Sequence, residues 1–270
     1  MDFRGASAET LSAVIDELKA AVSGSTEAAA TTADSLFSVS QTFRTEPALR
    51  RFATDGSIPV EAKQGLVREV FGGKLDDAAL TVLVSAVSRR WTHSGDLPDG
   101  VERLSEVAAV LSAGEQGPEL SDELFELRRI IDHNPTLRDA LSDPARSVAD
   151  KSELVDSLLA GKVQPATLTL AKQALAGSYG TVSAALSAYR TLAGDTFGES
   201  VATVYVASPL SDDQAARLAA TLQRNYGRPV HTNVVVDASV LGGIRVEIGD
   251  DVIDGSVASR LDDAERLLAG

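Results

Sequence analysis

The chain contains no cysteine, so disulfides and thiolate chemistry are excluded. It has one tryptophan, one methionine and only 4% aromatic residues, although 44% of its 270 residues are hydrophobic. Its cores must therefore be built from alanine, leucine and valine, as in helical bundles. Cationic residues are also scarce: 25 Lys and Arg stand against 39 Asp and Glu, a net charge of −14. That balance argues against a nucleic-acid partner, whose phosphates need a basic surface. It argues equally against adhesion to anionic lipid. Partners that are basic, or that present apolar helices, remain open. No apolar run reaches the roughly 18 residues a membrane span needs. The opening MDFRGASAET has neither the basic nor the apolar region of a secretory signal.

Recognisable site chemistry is missing too. His93, His133 and His231 stand apart, with no ligand spacing among them. Asp250, Asp251 and Asp254 do not have the spacing of a calcium loop, which needs a longer run of ligands ending in Glu. The pair Gly242-Gly243 lies in a strand-rich segment with no helix N-terminus after it, which is unlike a nucleotide loop. No Ser-His-Asp or lysine-centred constellation is visible.

What the chain does contain is an internal repeat. Residues 34–88 align on 122–176 without a gap. Roughly 17 of 55 positions are identical, where unrelated sequence would give about 4. Leu36-Phe37 falls on Leu124-Phe125, Pro47 on Pro135, Leu49-Arg50 on Leu137-Arg138, and Lys63 on Lys151. Leu66-Val67 falls on Leu154-Val155, Gly73-Lys74 on Gly161-Lys162, and Leu80-Thr81 on Leu168-Thr169. Two copies of one helical unit are expected within the first 200 residues.

Within each copy the pattern is helical. Leu11, Val14, Ile15, Leu18 and Val22 recur at helical spacing across 7–22. A second helix is expected from 26 to about 43, its counterpart opening near Ser121. Pro47 and Pro135 suit the first turn of a short helix, where the missing N–H would have no partner anyway. A longer helix then ends at Gly73 or Gly161, with Lys74 or Lys162 near the negative end of its dipole. A phosphate loop does not fit Gly-Lys here, because the glycine ends a helix rather than opening one after a strand. Helices at about 99–113 and 181–198 close the two units, and the first of these can also open the second.

After Gly198 the pattern changes. Residues 201–207 alternate and are rich in β-branched side chains, the signature of a strand. A helix at 211–226 ends at Gly227, and strands follow at 229–236 and 241–249. Residues 251–256 read as a tight return before a final helix at 257–269. The expected fold is mostly α with a small α/β module. Three domains are expected: a first helical bundle over 1–98, a second over 99–198, and the α/β module over 199–270.

The run LGGIRVEIGDDVIDGSVASRLDDAERLL, residues 241–268, resembles the C-terminal signature of the delta subunits of F-type ATP synthases, called the oligomycin-sensitivity-conferring protein in mitochondria. The likeness extends from about residue 121 onward. The additional first copy resembles the long actinobacterial form, some of whose members are fused to a b-type stalk helix. The chain is then either a separate delta subunit or a piece of such a fusion.

The resemblance implies a non-catalytic stator subunit with no cofactor and no metal. It would sit peripherally on the cytoplasmic face of the plasma membrane, with no direct membrane insertion. A helical bundle would grip an amphipathic helix from the N-terminus of an alpha subunit, and the C-terminal module would bind the end of the b-type peripheral stalk. The alpha-binding groove would lie beside the helices around 168–177 and 101–110, with Leu168, Ala171, Ala174, Leu175, Leu104 and Val107 facing it. Gly242, Gly243, Gly249, Asp254, Gly255 and Ser256 would form the structural signature of the stalk-binding module, with the aspartates as turn residues. The rival expectation is a helical-repeat scaffold unrelated to ATP synthase.

Overall fold

The computed structural model describes residues 3–198, 200–227, 230–237, 240, 242–248 and 251–255. They fall into two compact units, residues 1–189 and 190–270.

The first unit is helical throughout. Its helices are α1 (Ala6–Ala21), α2 (Thr26–Thr45), α3 (Pro47–Thr54), α4 (Val60–Phe71), α5 (Asp77–Ser88) and α6 (Asp96–Leu111). Then come α7 (Gly117–His133), α8 (Pro135–Ser142), α9 (Val148–Leu159) and α10 (Pro165–Gln173). Helix α11 (Val182–Phe197) carries the boundary between the two units.

The repeat seen in the sequence is a repeat of helices. Helices α3 and α8 begin and end at aligned positions, and so do α4 and α9. Both short helices start with proline in the first turn. Gly73 and Gly161 take matching left-handed conformations, with φ of 72° and 73°, just past the ends of α4 and α9. The adjoining lysine behaves as the dipole argument requires in the second copy, where Lys162 Nζ donates to the Leu158 carbonyl at 2.8 Å.

The copies cap their fifth helices differently. In the first, Asp76 accepts the Ala79 N–H at 2.9 Å and the Thr32 hydroxyl of α2 at 2.8 Å. In the second, the N-cap Gln164 makes no side-chain cap, and Glu123 of α7 accepts the Gln164 N–H and the Thr167 hydroxyl instead. Each solution satisfies an orphan N–H at the helix start and ties that helix to its neighbour.

Helix α6 is the common wall. It packs on α1, α2, α3 and α5 of the first copy and on α7 and α10 of the second. It starts at Asp96, before Pro98, a first-turn position that tolerates proline. In contrast to the single buried stripe of α1, burial on α6 runs almost all the way round and takes in Glu102, Ser105 and Glu106. At the start of α6, the Trp91 ring lies against Gly100, where a Cβ would sit 2.4 Å from a ring carbon, so only glycine fits. The indole N–H donates to the Ala86 carbonyl at 2.9 Å.

The second unit holds a four-stranded sheet in the order β2-β1-β3-β4, made of β1 (Ser200–Val206), β2 (Val230–Val236), β3 (Ile244–Ile248) and β4 (Asp251–Asp254). Strands β1 and β2 are parallel and joined through α12 (Asp212–Tyr226), while β3 runs antiparallel to both β1 and β4. Ser211 and Gln214 form a capping box at the start of α12, and Gly227 ends it with φ 68°. The core is small: Ala202, Val204, Val206, Leu222, Val246 and Ile248.

One expectation is corrected here. Residues 251–254 are not part of a tight return but form an edge strand, pairing Asp254 with Arg245 and Asp251 with Ile248. The β-branched pair Val252-Ile253 favours extended backbone, and β3 offers it a free ladder edge. The helix expected at 257–269 lies outside the described residues.

Candidate functional site

The six residues expected to line a partner groove do not share one surface. Leu104 and Val107 are fully buried in α6. Ala171 and Ala174 are buried as well, while Leu168 and Leu175 are half-buried. Leu168 lines a depression of about 230 Å³ together with Asp34 and Phe37 of α2 and Lys172 of α10. Leu175 lines another, beside Leu141, Lys151 and Tyr179. Ala171 belongs to a third, apolar cleft. The reason they are dispersed is α2: it packs along α6 and reaches α10, so a helix of the first copy already covers much of the face between those two.

The apolar cleft lies among Leu127 and Ile131 of α7, Leu137 and Leu141 of α8, Val155, Leu158 and Leu159 of α9, Ala171 of α10 and Val182 of α11. The repeat shows what differs from the first copy there. Ile131, Leu159 and Ala171 occupy the positions of Phe43, Phe71 and Leu83 in the first copy. There the two phenylalanine rings meet at 6.1 Å between centroids and fill the space. In the second copy the ring pair is absent, and a small cleft of about 20 Å³ remains among aliphatic side chains. Leu158 on the cleft is 40% exposed and Ile130 of α7 is 52% exposed, where the first copy carries Val70 and Thr42. The self-alignment contained this signal as the loss of two aromatic rings between copies, but an alignment read for likeness passes over it.

In the second unit, Gly242 and Gly243 stand immediately before β3 with φ of 156° and 81°. Gly255 follows β4 and donates its N–H to the Ile244 carbonyl at 2.9 Å. A Cβ on Gly255 would lie 3.2 Å from that oxygen, so the missing side chain of Gly255 lets its backbone come close to the start of β3. Asp254 is exposed in β4. Gly249 and Ser256 lie outside the described residues. Among the described residues, no group of three or more His, Cys, Asp or Glu could hold a metal ion, and no helix is long and apolar enough to cross a membrane.

The profile of the ATP synthase delta (OSCP) subunit matches residues 106–268. The chain is 51% identical over 268 residues to ATP synthase subunit delta of Nocardioides sp. (strain ATCC BAA-499 / JS614), covering 99% of this chain and 97% of that one. It is 42% identical to its namesake in Nocardia farcinica, over 98% of this chain and 99% of the relative. Against the Streptomyces avermitilis protein of the same name the identity is 39%, over the whole of both chains. These relatives share the first copy as well as the part the profile matches. The chain belongs to the ATP synthase delta (OSCP) family, whose members are non-catalytic subunits of that complex.

Proposed function

We propose that this chain is a stator subunit, tying alpha subunits of the catalytic head to the b-type peripheral stalk at the cytoplasmic face of the membrane. The observation that carries the reading is the match, over nearly the whole chain, to proteins named ATP synthase subunit delta. The physical task is to resist torque, which needs contacts that are always made rather than groups that react. A helical bundle with exposed apolar side chains suits such a task, because a partner helix can bury its apolar side against existing helices. In this reading the N-terminal helix of an alpha subunit docks on the second bundle beside α10, burying apolar side chains against the exposed Ile130 and Leu158 and at the small cleft beside Ala171. The 199–270 module takes the stalk, and the bundles over 1–98 and 99–198 serve the head.

Calorimetry of the full chain against a peptide copied from the N-terminus of the same organism's alpha subunit tests this. One-to-one binding in the micromolar range or tighter is expected. Replacing Ile130 and Leu158 together with aspartate should weaken it at least about tenfold, about 1.4 kcal/mol, with the helical circular dichroism unchanged. If the unaltered chain does not bind the peptide, the head-binding role is wrong. If it binds and the double variant binds equally well, the cleft is not the site.

A further inference from the structure

Helix α6 carries two carboxylates one turn apart, Glu102 and Glu106, and both are fully buried. They stand where the two copies meet, and each has its own guanidinium. Arg44 of α2 pairs with Glu102 and also with Asp99 at 2.7 Å. Arg103 donates to Glu106 Oε2 at 2.9 Å. The cluster thus sets three carboxylates against two guanidinium groups; Asp99 is 41% exposed, while the two glutamates are buried one turn apart, where repulsion between like charges adds to the cost of burial.

The same carboxylates hold the segment that follows α10. Glu102 Oε1 accepts the Ser178 N–H at 2.8 Å, and Glu106 Oε2 accepts the Tyr179 hydroxyl at 3.3 Å. Gly177 lies so close that a Cβ there would sit 2.4 Å from Glu102 Oε1. The Tyr179 ring packs edge-on to Tyr189 of α11 at 5.5 Å. Glu106 Oε1 and the Tyr189 hydroxyl are both buried without a hydrogen-bond partner. Both donors to Glu106 reach Oε2, so Oε1 has no donor, and a proton carried there relieves the burial of an unpaired oxygen.

We propose that the Glu102–Glu106 pair makes the junction between the two copies proton-responsive: it is closed while Glu106 holds its proton, and segment 174–181 loosens from α6 when the proton leaves. The charged and titratable groups facing Glu106 are Glu102 and Arg103 on its own helix, Arg44 of α2 beyond Glu102, Tyr179 after α10, and Tyr189 on α11. Burial is the largest influence on Glu106 and pushes it up to about 7 from the ordinary 4.5. Glu102 adds to the rise, and Arg103 and the Tyr179 hydroxyl oppose it. Burial likewise raises Tyr179 and Tyr189, so both remain hydroxyls throughout this range. In an opened segment Glu106 meets water and returns towards 4.5. The closed form therefore binds the proton more tightly, and closure weakens as pH rises between those two values and is level above them.

The test uses the full chain. Amide exchange at 177–181 is compared with a Glu106→Gln variant at the same pH, which cancels the intrinsic pH dependence of exchange. Relative to the variant, the opening constant of the unaltered chain should rise by roughly tenfold per pH unit between about 5 and 7 and then level off. Parallel behaviour of the two proteins across that range would overturn the proposal, as would a Glu106→Gln segment already open at pH 5. Carboxyl carbon chemical shifts of the unaltered protein give a second readout that requires no variant to fold. A Glu106 midpoint near 7 is expected, and one below 5 overturns the proposal. Tyr179→Phe removes a hydrogen bond that favours the ionised form, so it should move the midpoint up.

Discussion

Replacing Phe43 with alanine should destabilise the helical unit by about 3–5 kcal/mol. Phe43 is completely buried and packs on Phe71 with ring centroids 6.1 Å apart. Removing the ring takes away both its transfer free energy and the contacts of its neighbour, in a core where aromatics are few. The matched substitution in the second copy, Ile131→Ala, should cost less, near the lower end of the 2–5 kcal/mol range for aliphatic truncations. Ile131 already borders the open cleft, so there is less close packing to lose. Urea unfolding followed by helical circular dichroism and by Trp91 emission measures both. Trp91 is the only tryptophan and is buried against Gly100 in the helical unit, so its emission reports that unit alone. Equal losses at Phe43 and Ile131 would show that the second copy is packed as tightly there as the first, contrary to the cleft beside Ile131. The shared helix α6 also predicts that both copies melt in one transition, because neither can lose it and keep a core.

The helices of the repeat were legible because their punctuation is local. Proline at N1, glycine just past the end and an apolar stripe each act within one turn, so Pro47 and Pro135, and Gly73 and Gly161, mark the same boundaries in chain and structure. The order strand, helix, strand, strand around Gly227 and Gly242-Gly243 was legible for the same reason. What escaped is non-local. Nothing in the spacing of Glu102 and Glu106 along the helix at 99–113 marks them for burial. They are buried because α6 has a bundle on either side, and periodicity within one helix carries no record of its neighbours. Leu104 and Val107 are buried for the same reason, since their face of α6 is covered from within the chain. Residues 251–254 looked like a turn because two aspartates bracket them. Their pairing depends on β3 being free on that edge, a property of the sheet and not of the segment. The apolar cleft goes with the loss of the Phe43–Phe71 ring pair, and similarity of residue type conceals that difference.

Substituting Gly243 with valine should separate the two units. The residue sits at φ 81°, a left-handed conformation that a β-branched side chain adopts only under strain, at a cost of roughly 1–3 kcal/mol. It immediately precedes β3, which lies between β1 and β4 and contributes Val246 and Ile248 to the small core of residues 190–270. A module of this size has little stability to spare, so a loss of that order can unfold it at physiological temperature. The helical unit contains neither the strand nor its partners, so it should persist. Most of the helical circular dichroism should therefore remain, Trp91 emission should be unchanged, and thermal unfolding should show only the transition of the helical unit. Under the proposed division of labour, binding of the b-type stalk should be lost while binding of the alpha peptide survives. If both are lost while the bundles remain folded, head and stalk are not held by separate units, and the assignment of the stalk to residues 199–270 fails.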